Sequence, residues 1–355
     1  MRFKILVSTV VLAISGYSAF WFYLAGQVED RTLAWIKTQE SKGLKVYYDD
    51  LTVTGYPYKI VVRMTSAKGA LRPLSDPNRQ FAFETPEIAV IAHLWKLSHA
   101  VVVTDYLDMT TGRSYNTDAF QLALEKVKSS IILNRDDWRP ERVSVVADQA
   151  SWVTENHLSA EAPSVAHNVE VHMRRPVTGS QGPKDDLEMQ LPVYADVYFK
   201  ADDITALELP VDTFGKKADM VKIDGALHAT DMLKYNRQSL SDWRDAGGTI
   251  SLRDVEIKSG PMDVKLQGDV ALDQMFNPLG AFSAEVRGID HIVKILSRHP
   301  GFRQEPGSLL LDELKNMVQS SPEGTDKRLD LSISLQNGFV FLGPLPVYET
   351  GKVIE

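Results

Sequence analysis

Apolar and polar positions alternate along much of this chain. The alternation is cleanest from Met262 to Leu272. There Met262, Val264, Leu266, Val270 and Leu272 take one side, and Asp263, Lys265, Gln267 and Asp269 take the other. Successive side chains of a strand point to opposite faces, so the pattern predicts a ribbon with one apolar and one polar face. Near the C-terminus Leu329, Leu331, Ile333 and Leu335 alternate, Asn337-Gly338 is a two-residue hairpin signal, and Phe339 and Phe341 resume the alternation. "LKVYYDDLTVTGYPYKIVVRM" reads as two short strands around Gly55-Tyr56-Pro57. "TDAFQLALEKVKSSIIL" fits two periods. Phe120, Leu122 and Leu124 alternate, whereas Phe120, Leu124, Val127 and Ile131 recur as on a helix. Its neighbours are strands, which favours a strand.

Helical spacing is rarer. It marks "GQVEDRTLAWIKTQESKG" with Gly43 as its stop, "DMLKYNRQSLSDWRDAG", "RGIDHIVKILSRHPG" and "SLLLDELKNMVQSS". About a dozen strands against three or four helices indicate a β-rich α+β fold. The expected body is a long, twisted, mostly antiparallel sheet with a few helices on one face. "PVTGSQGPKDD" is the clearest loop. It divides the body into a β-rich half at 44–175, a loop at 176–187, and a second β-rich half with covering helices at 188–348, before a tail at 349–355.

The N-terminus changes the picture. Arg2 and Lys4 precede Ile5–Ala25, and no further charge appears until Glu29. A run of about 21 mostly apolar residues crosses a hydrocarbon core of about 30 Å. It exceeds a signal-peptide core and lacks an A-x-A cleavage site, so residues 1–25 are expected to be an uncleaved signal-anchor, with a juxtamembrane helix at 26–43; the alternative is a signal peptide cleaved at Ala25-Gly26. Trp21, Phe22 and Tyr23 suit the membrane interface. The flanking charges predict a cytoplasmic N-terminus and an exported body.

Charge and chemistry then narrow the options. The formal net charge is −8 and the basic residues are scattered, which argues against a nucleic-acid partner. The chain has no cysteine, so it has no disulfide, thiolate nucleophile or cysteine-ligated metal. His167 and His172 fall on opposite faces of a regular strand, and no H-E-x-x-H, P-loop, dinucleotide or G-x-S-x-G pattern is present. The pairs Asp49-Asp50, Asp136-Asp137, Asp185-Asp186 and Asp202-Asp203 suit turns and solvated edges better than acid/base dyads. The expectation is a protein without cofactor, metal site or catalytic residues.

Two segments resemble a known family. "TVTGYPYKIVV" is similar to the G-Y-P-F-[RK]-[IL] signature of the uncharacterised bacterial domain-of-unknown-function 2125 family. "WRDAGGTISLRDVEIKSGPMDVKLQGDVALDQMFNPLGAFSAEVRG" and the closing "NGFVFLGPLPV" resemble that family's C-terminal module, which itself resembles the β-units of AsmA-like envelope proteins. The family often has a cysteine pair flanking the Gly-Tyr-Pro hairpin; here Tyr48 and Met64 stand in those places, leaving cross-strand packing to hold it. The resemblance implies a membrane anchor, a periplasmic body, and an apolar sheet face that can accept acyl chains. The candidate face is Met262, Val264, Leu266, Val270 and Leu272 with Phe339 and Phe341, binding or guiding lipid or another apolar ligand in envelope homeostasis. The competing expectation is a structural or assembly module, whose apolar face is closed core and whose partners are envelope proteins.

Overall fold

The computed structural model describes residues 2–71, 79–113, 116–154, 163–176, 191–206, 217–231, 233–234, 236–288, 293–294, 297, 302, 307–320, 328–343 and 345–354. The described chain groups into two compact units, Met1–Pro163 and Ser164–Glu355. The expected loop from 177 onward and most of the expected helix at 287–301 lie outside the described residues.

The first unit begins with one continuous helix, α1 (Arg2–Glu40). At 1.5 Å per residue its 39 residues extend about 58 Å. The apolar run and the expected juxtamembrane helix are therefore one rod with no hinge. Its N-terminal part is long and apolar enough to cross a membrane, by length and composition. The helix gives way to a turn at Gly43, whose φ of 97° is a glycine conformation.

Seven strands follow: β1 (Leu44–Tyr47), β2 (Asp50–Thr54), β3 (Lys59–Leu71), β4 (Arg79–His93), β5 (Lys96–Arg113), β6 (Asn116–Leu133) and β7 (Pro140–Thr154). β1 and β2 lie end to end along one edge of β3, and β3 to β7 pair in sequence order, all antiparallel. The ambiguous segment is thus a strand, β6. Each long strand changes the parity of its apolar positions midway. On β3, Ile60, Val62 and Met64 are apolar before Ser66, and Ala67, Gly69 and Leu71 after it; Arg63 is exposed in the first half, Lys68 and Ala70 in the second. Ser66 has a φ of 50°, and Lys126 on β6 has the same value. A single residue in this region breaks strict alternation and lets one strand keep its apolar side chains on one side of a twisted sheet.

The second unit holds β8 (Ser164–Arg174), β9 (Val193–Thr205), β10 (Lys217–His228), β11 (Thr249–Ser259), β12 (Met262–Leu272), β13 (Pro278–Arg287), β14 (Arg328–Gln336), β15 (Phe339–Leu342) and β16 (Leu345–Glu349). They form an antiparallel meander in sequence order. Asn168 and Asp203, with φ of 48° and 47°, take the role that Ser66 has in the first unit.

Among the helices whose ranges lie in the described residues, two pack on these strands. The first is α2 (Arg237–Asp245), which starts later than the sequence pattern suggests because Asn236 caps it, its side-chain oxygen accepting from the Ser239 amide at 2.8 Å. Leu240 and Trp243 of α2 are buried against Ala229, Leu272 and Phe276. The Trp243 indole donates to the His228 carbonyl at 2.8 Å. The second, α3 (Gly307–Ser320), buries Leu314 against Leu329, with Leu331 packed alongside.

Candidate functional site

The register of the second unit sets the apolar positions of successive strands side by side. Met173 on β8 opposes Val197 on β9, which opposes Gly225 on β10, then Leu252, Gly268, Phe282, Ile333 and finally Leu342 on β15. One step along the strands, Val171, Phe199, Ile223, Val255, Leu266, Ala284 and Leu331 form a parallel row. Directly opposed residues share a face. The run that is so regular on β12 is therefore one column of an apolar face that crosses eight strands.

Gly268 sits in the middle of the first row. A Cβ there would lie 2.2 Å from the Ala281 carbonyl oxygen and 2.7 Å from the Phe282 ring. The missing side chain is what lets Phe282 pack across the neighbouring strand, with an exposure of only 8%.

The two helices close the ends of this face. α2 covers Leu272, with Leu227 packed alongside. At the other end of the strands, α3 covers Leu329 and Leu331. Met262 and Leu272, two of the residues singled out from the sequence, are consequently buried at opposite ends of β12. They are core. Val264, Leu266 and Val270, between them, are half-buried. Exposure grows toward β8: Val171 and Val197 are 41% and 40% exposed.

Phe339 and Phe341 lie on the other face. They oppose Gln336 and Ser334, while Val340 and Leu342 oppose Leu335 and Ile333. The two-residue turn explains this. Asn337 and Gly338 have φ of 52° and 80°, as a tight hairpin requires, so Gln336 and Phe339 are directly paired and must share a side. Alternation alone does not show it, because the second arm, Phe339 to Leu342, is apolar at every residue and so fits either face. The pairing rule for two-residue turns was the signal that could have shown it.

The opposite face is a charged lattice. Asp196 accepts from Arg174 at 2.9 Å and from Arg253 at 2.7 Å, and Arg253 also holds Asp224. Burial pushes the Asp196 carboxyl up, but the hydrogen bonds and charges of the two guanidiniums outweigh it and hold the group below the usual range. Lys222 bridges Asp254 at 2.8 Å and Glu256 at 3.1 Å, and those hydrogen bonds raise its pKa. Glu256, bonded also by Lys258 at 3.0 Å, is lowered chiefly by that contact.

Among the described residues, several histidines and carboxylates make local structural contacts. His228 is buried with Nδ1 2.9 Å from the Leu191 carbonyl and Nε2 3.0 Å from the Ser251 hydroxyl. With the carbonyl fixing a proton on Nδ1, Nε2 accepts from Ser251. His99 meets Ser130 at 2.9 Å, and His93 stacks on Trp95. Asp136 and Asp137 belong to a turn: Asn134 caps the Asp136 amide and Asp137 the Arg139 amide. Asp202 pairs with Lys200 at 3.1 Å. Among the described residues, no group of three or more His, Asp and Glu side chains is placed to hold a metal.

The family model for DUF2125 matches residues 21–350, nearly the whole chain. The chain belongs to this family. Its members are described as uncharacterised proteins conserved in bacteria. The matched DUF2125 region begins at Trp21, inside α1, and takes in the Gly-Tyr-Pro hairpin and both compact units. No curated protein and no solved structure matches the chain.

Proposed function

We propose that this DUF2125 protein is a non-enzymatic, membrane-anchored envelope protein, with its body in the periplasm, that binds or guides lipid along the apolar face of its second unit. The observation that carries the reading is the continuity of that face across β8 to β15, with α2 and α3, among the described residues, packed at its two ends. A row of valine, leucine, isoleucine and phenylalanine with a partly open centre matches an acyl chain in chemistry. Burying apolar surface there contributes about 25 cal/mol per Å². Large apolar patches left open on a protein mark binding surfaces or aggregation hazards. α1 supports the reading by supplying a helix long and apolar enough to tether the protein to a bilayer. The likeness of the C-terminal module to AsmA-like units is consistent with it.

The test is native mass spectrometry of the full-length protein after exchange out of lipid-rich extracts. The proposal expects a retained phospholipid that is lost in Leu266→Asp and kept in Lys265→Asp, whose side chain is on the charged face. A lipid-free mass for the folded wild-type protein, with no uptake of added phospholipid, would contradict it and favour an assembly module acting through protein contacts.

A further inference from the structure

α1 does not merely precede the first unit; it is bonded to it. The Tyr17 hydroxyl donates to the Pro57 carbonyl, the Ser18 hydroxyl meets the Tyr56 hydroxyl at 2.7 Å, and the Trp21 indole donates to the Lys59 carbonyl at 3.3 Å. Tyr56 stacks on Phe22 and meets Trp21 edge to face. Trp21 and Ala25 are buried with Ile60, and Leu94 packs on the same cluster. These contacts fix the depth of the hairpin. Tyr17, Ser18 and Trp21 all lie within the apolar run that ends at Ala25, from about 6 to about 12 Å back along the helix. A turn docked on them enters the membrane with them.

The same end of the sheet carries three turns. The hairpin at 55–58 precedes β3, Leu94 and Trp95 join β4 to β5, and residues 134–139 join β6 to β7; the pairs Lys59 with His93, His93 with Lys96, and Leu133 with Pro140 place them along one edge. Every one of these turns displays an aromatic side chain to the outside. Tyr58 and Trp95 are each 66% exposed, and Trp138 is 60% exposed. Trp138 holds a φ of 57°, a region in which a bulky residue is an outlier, and its amide is bonded to the Asn134 carbonyl at 2.9 Å. Exposed rings on three successive turns have no value to a water-facing edge. Tyr and Trp concentrate at the membrane–water boundary, where an apolar ring and a polar tip are both satisfied.

Charge agrees. In a chain of net charge −8, this edge bears Lys59, Lys96, Arg135, Arg139 and Arg142 against Asp136, Asp137 and Glu141. A basic excess suits phosphate headgroups. The backbone agrees as well. Carbonyls cannot be left bare at the depth of the acyl chains, and α1 supplies the donors to two of the hairpin carbonyls, those of Pro57 and Lys59.

We propose that this turn edge, with Tyr56, Tyr58, Trp95 and Trp138, is seated in the interfacial zone of the bilayer that α1 crosses, with phospholipid headgroups and upper acyl segments as its partner. This rests on reading α1 as a membrane span. The sheet of the first unit would then rise directly from the lipid surface.

The chain has no cysteine, so single-cysteine variants report position without background. The full-length protein in phosphatidylethanolamine–phosphatidylglycerol liposomes would carry an environment-sensitive fluorophore at Tyr58→Cys, Trp95→Cys or Trp138→Cys. Ile14→Cys marks the span, and Lys68→Cys marks the same unit nine residues up β3, about 30 Å away. Lipids with a nitroxide near the headgroup serve as quencher for positions 58, 95, 138 and 68, and lipids with a nitroxide deep in the acyl chain for position 14, which lies about 16 Å back from Ala25 near the bilayer centre. The three edge positions should show blue-shifted emission and be strongly quenched, and position 68 should be neither. Quenching at position 14 with aqueous behaviour at all three edge positions would overturn the interfacial seat while leaving the span intact. An unquenched position 14 would remove the span itself, and the seat with it.

Discussion

Asp196 lies where two guanidiniums meet, and it links charge to stability in a way that can be measured. Its carboxyl titrates below the usual 3.8 in the folded protein. A lowered folded-state pKa stabilises the fold above the unfolded value, and that stabilisation fades as pH falls through the folded one. Because Arg174 and Arg253 are largely exposed, the contribution is modest, about 1 kcal/mol. Asp196→Asn should therefore lower stability in neutral denaturant titrations, and the gap from wild type should close at pH values below 3.8. A gap that persists in acid would assign the effect to packing instead. Gly268 makes a sterically sharper case. Adding one methyl group drives it into the Ala281 backbone 2.2 Å away, so Gly268→Ala should cost about 1–3 kcal/mol, seen as a lowered thermal midpoint. Gly55 combines a φ of 109° with the Lys59 carbonyl 2.7 Å from where a Cβ would stand. Gly55→Ala should raise hydrogen exchange in the hairpin and in β2 before it affects the second unit.

Elements were legible to the extent that one period governed them. β12 keeps strict alternation from end to end, and its sequence predicts its two faces without error. β6 does not. Phe120, Leu122 and Leu124 are apolar before Lys126, and Val127, Ser129 and Ile131 continue the other parity after it. The φ of 50° at Lys126 is the reason, and it is also why Phe120, Leu124, Val127 and Ile131 imitate a helix. A left-handed lysine carries no compositional mark, unlike a glycine. The continuous face across β8 to β15 was hidden for a related reason: register between strands is set by pairing, and pairing is not written in any single strand. The hairpin of β14 and β15 shows the consequence. Phe339 and Phe341 read as apolar-face residues by alternation, and the two-residue turn puts them with Gln336 and Ser334. Phe339→Ser and Phe341→Ser should leave lipid retention unchanged, whereas Leu266→Asp should abolish it, a contrast readable by mass spectrometry of the purified proteins. At the helix, Trp21→Ala removes a buried ring that lies against Ile60 and Tyr56. Hydrogen exchange at residues 55–60 should rise in that variant while the second unit stays as in wild type.

The molecule combines a membrane-length helix, a first unit whose strands are bonded to that helix, and a second unit whose strands present one apolar and one charged face. On the charged face the carboxylates and bases neutralise each other in place. The apolar face is unusual because its ends are closed and its centre is partly open. Binding of an extended apolar ligand along that centre is the central claim. In living bacteria, benzoyl-phenylalanine placed singly at Val197, Leu252 or Leu266, and at Lys265 or Gln267 as charged-face controls, would be irradiated after growth in radiolabelled phosphate. The account predicts phosphate-labelled adducts from the three apolar positions and none from the controls. Equal labelling on both faces, or none on the apolar face of a protein that is folded and in the membrane, would contradict it.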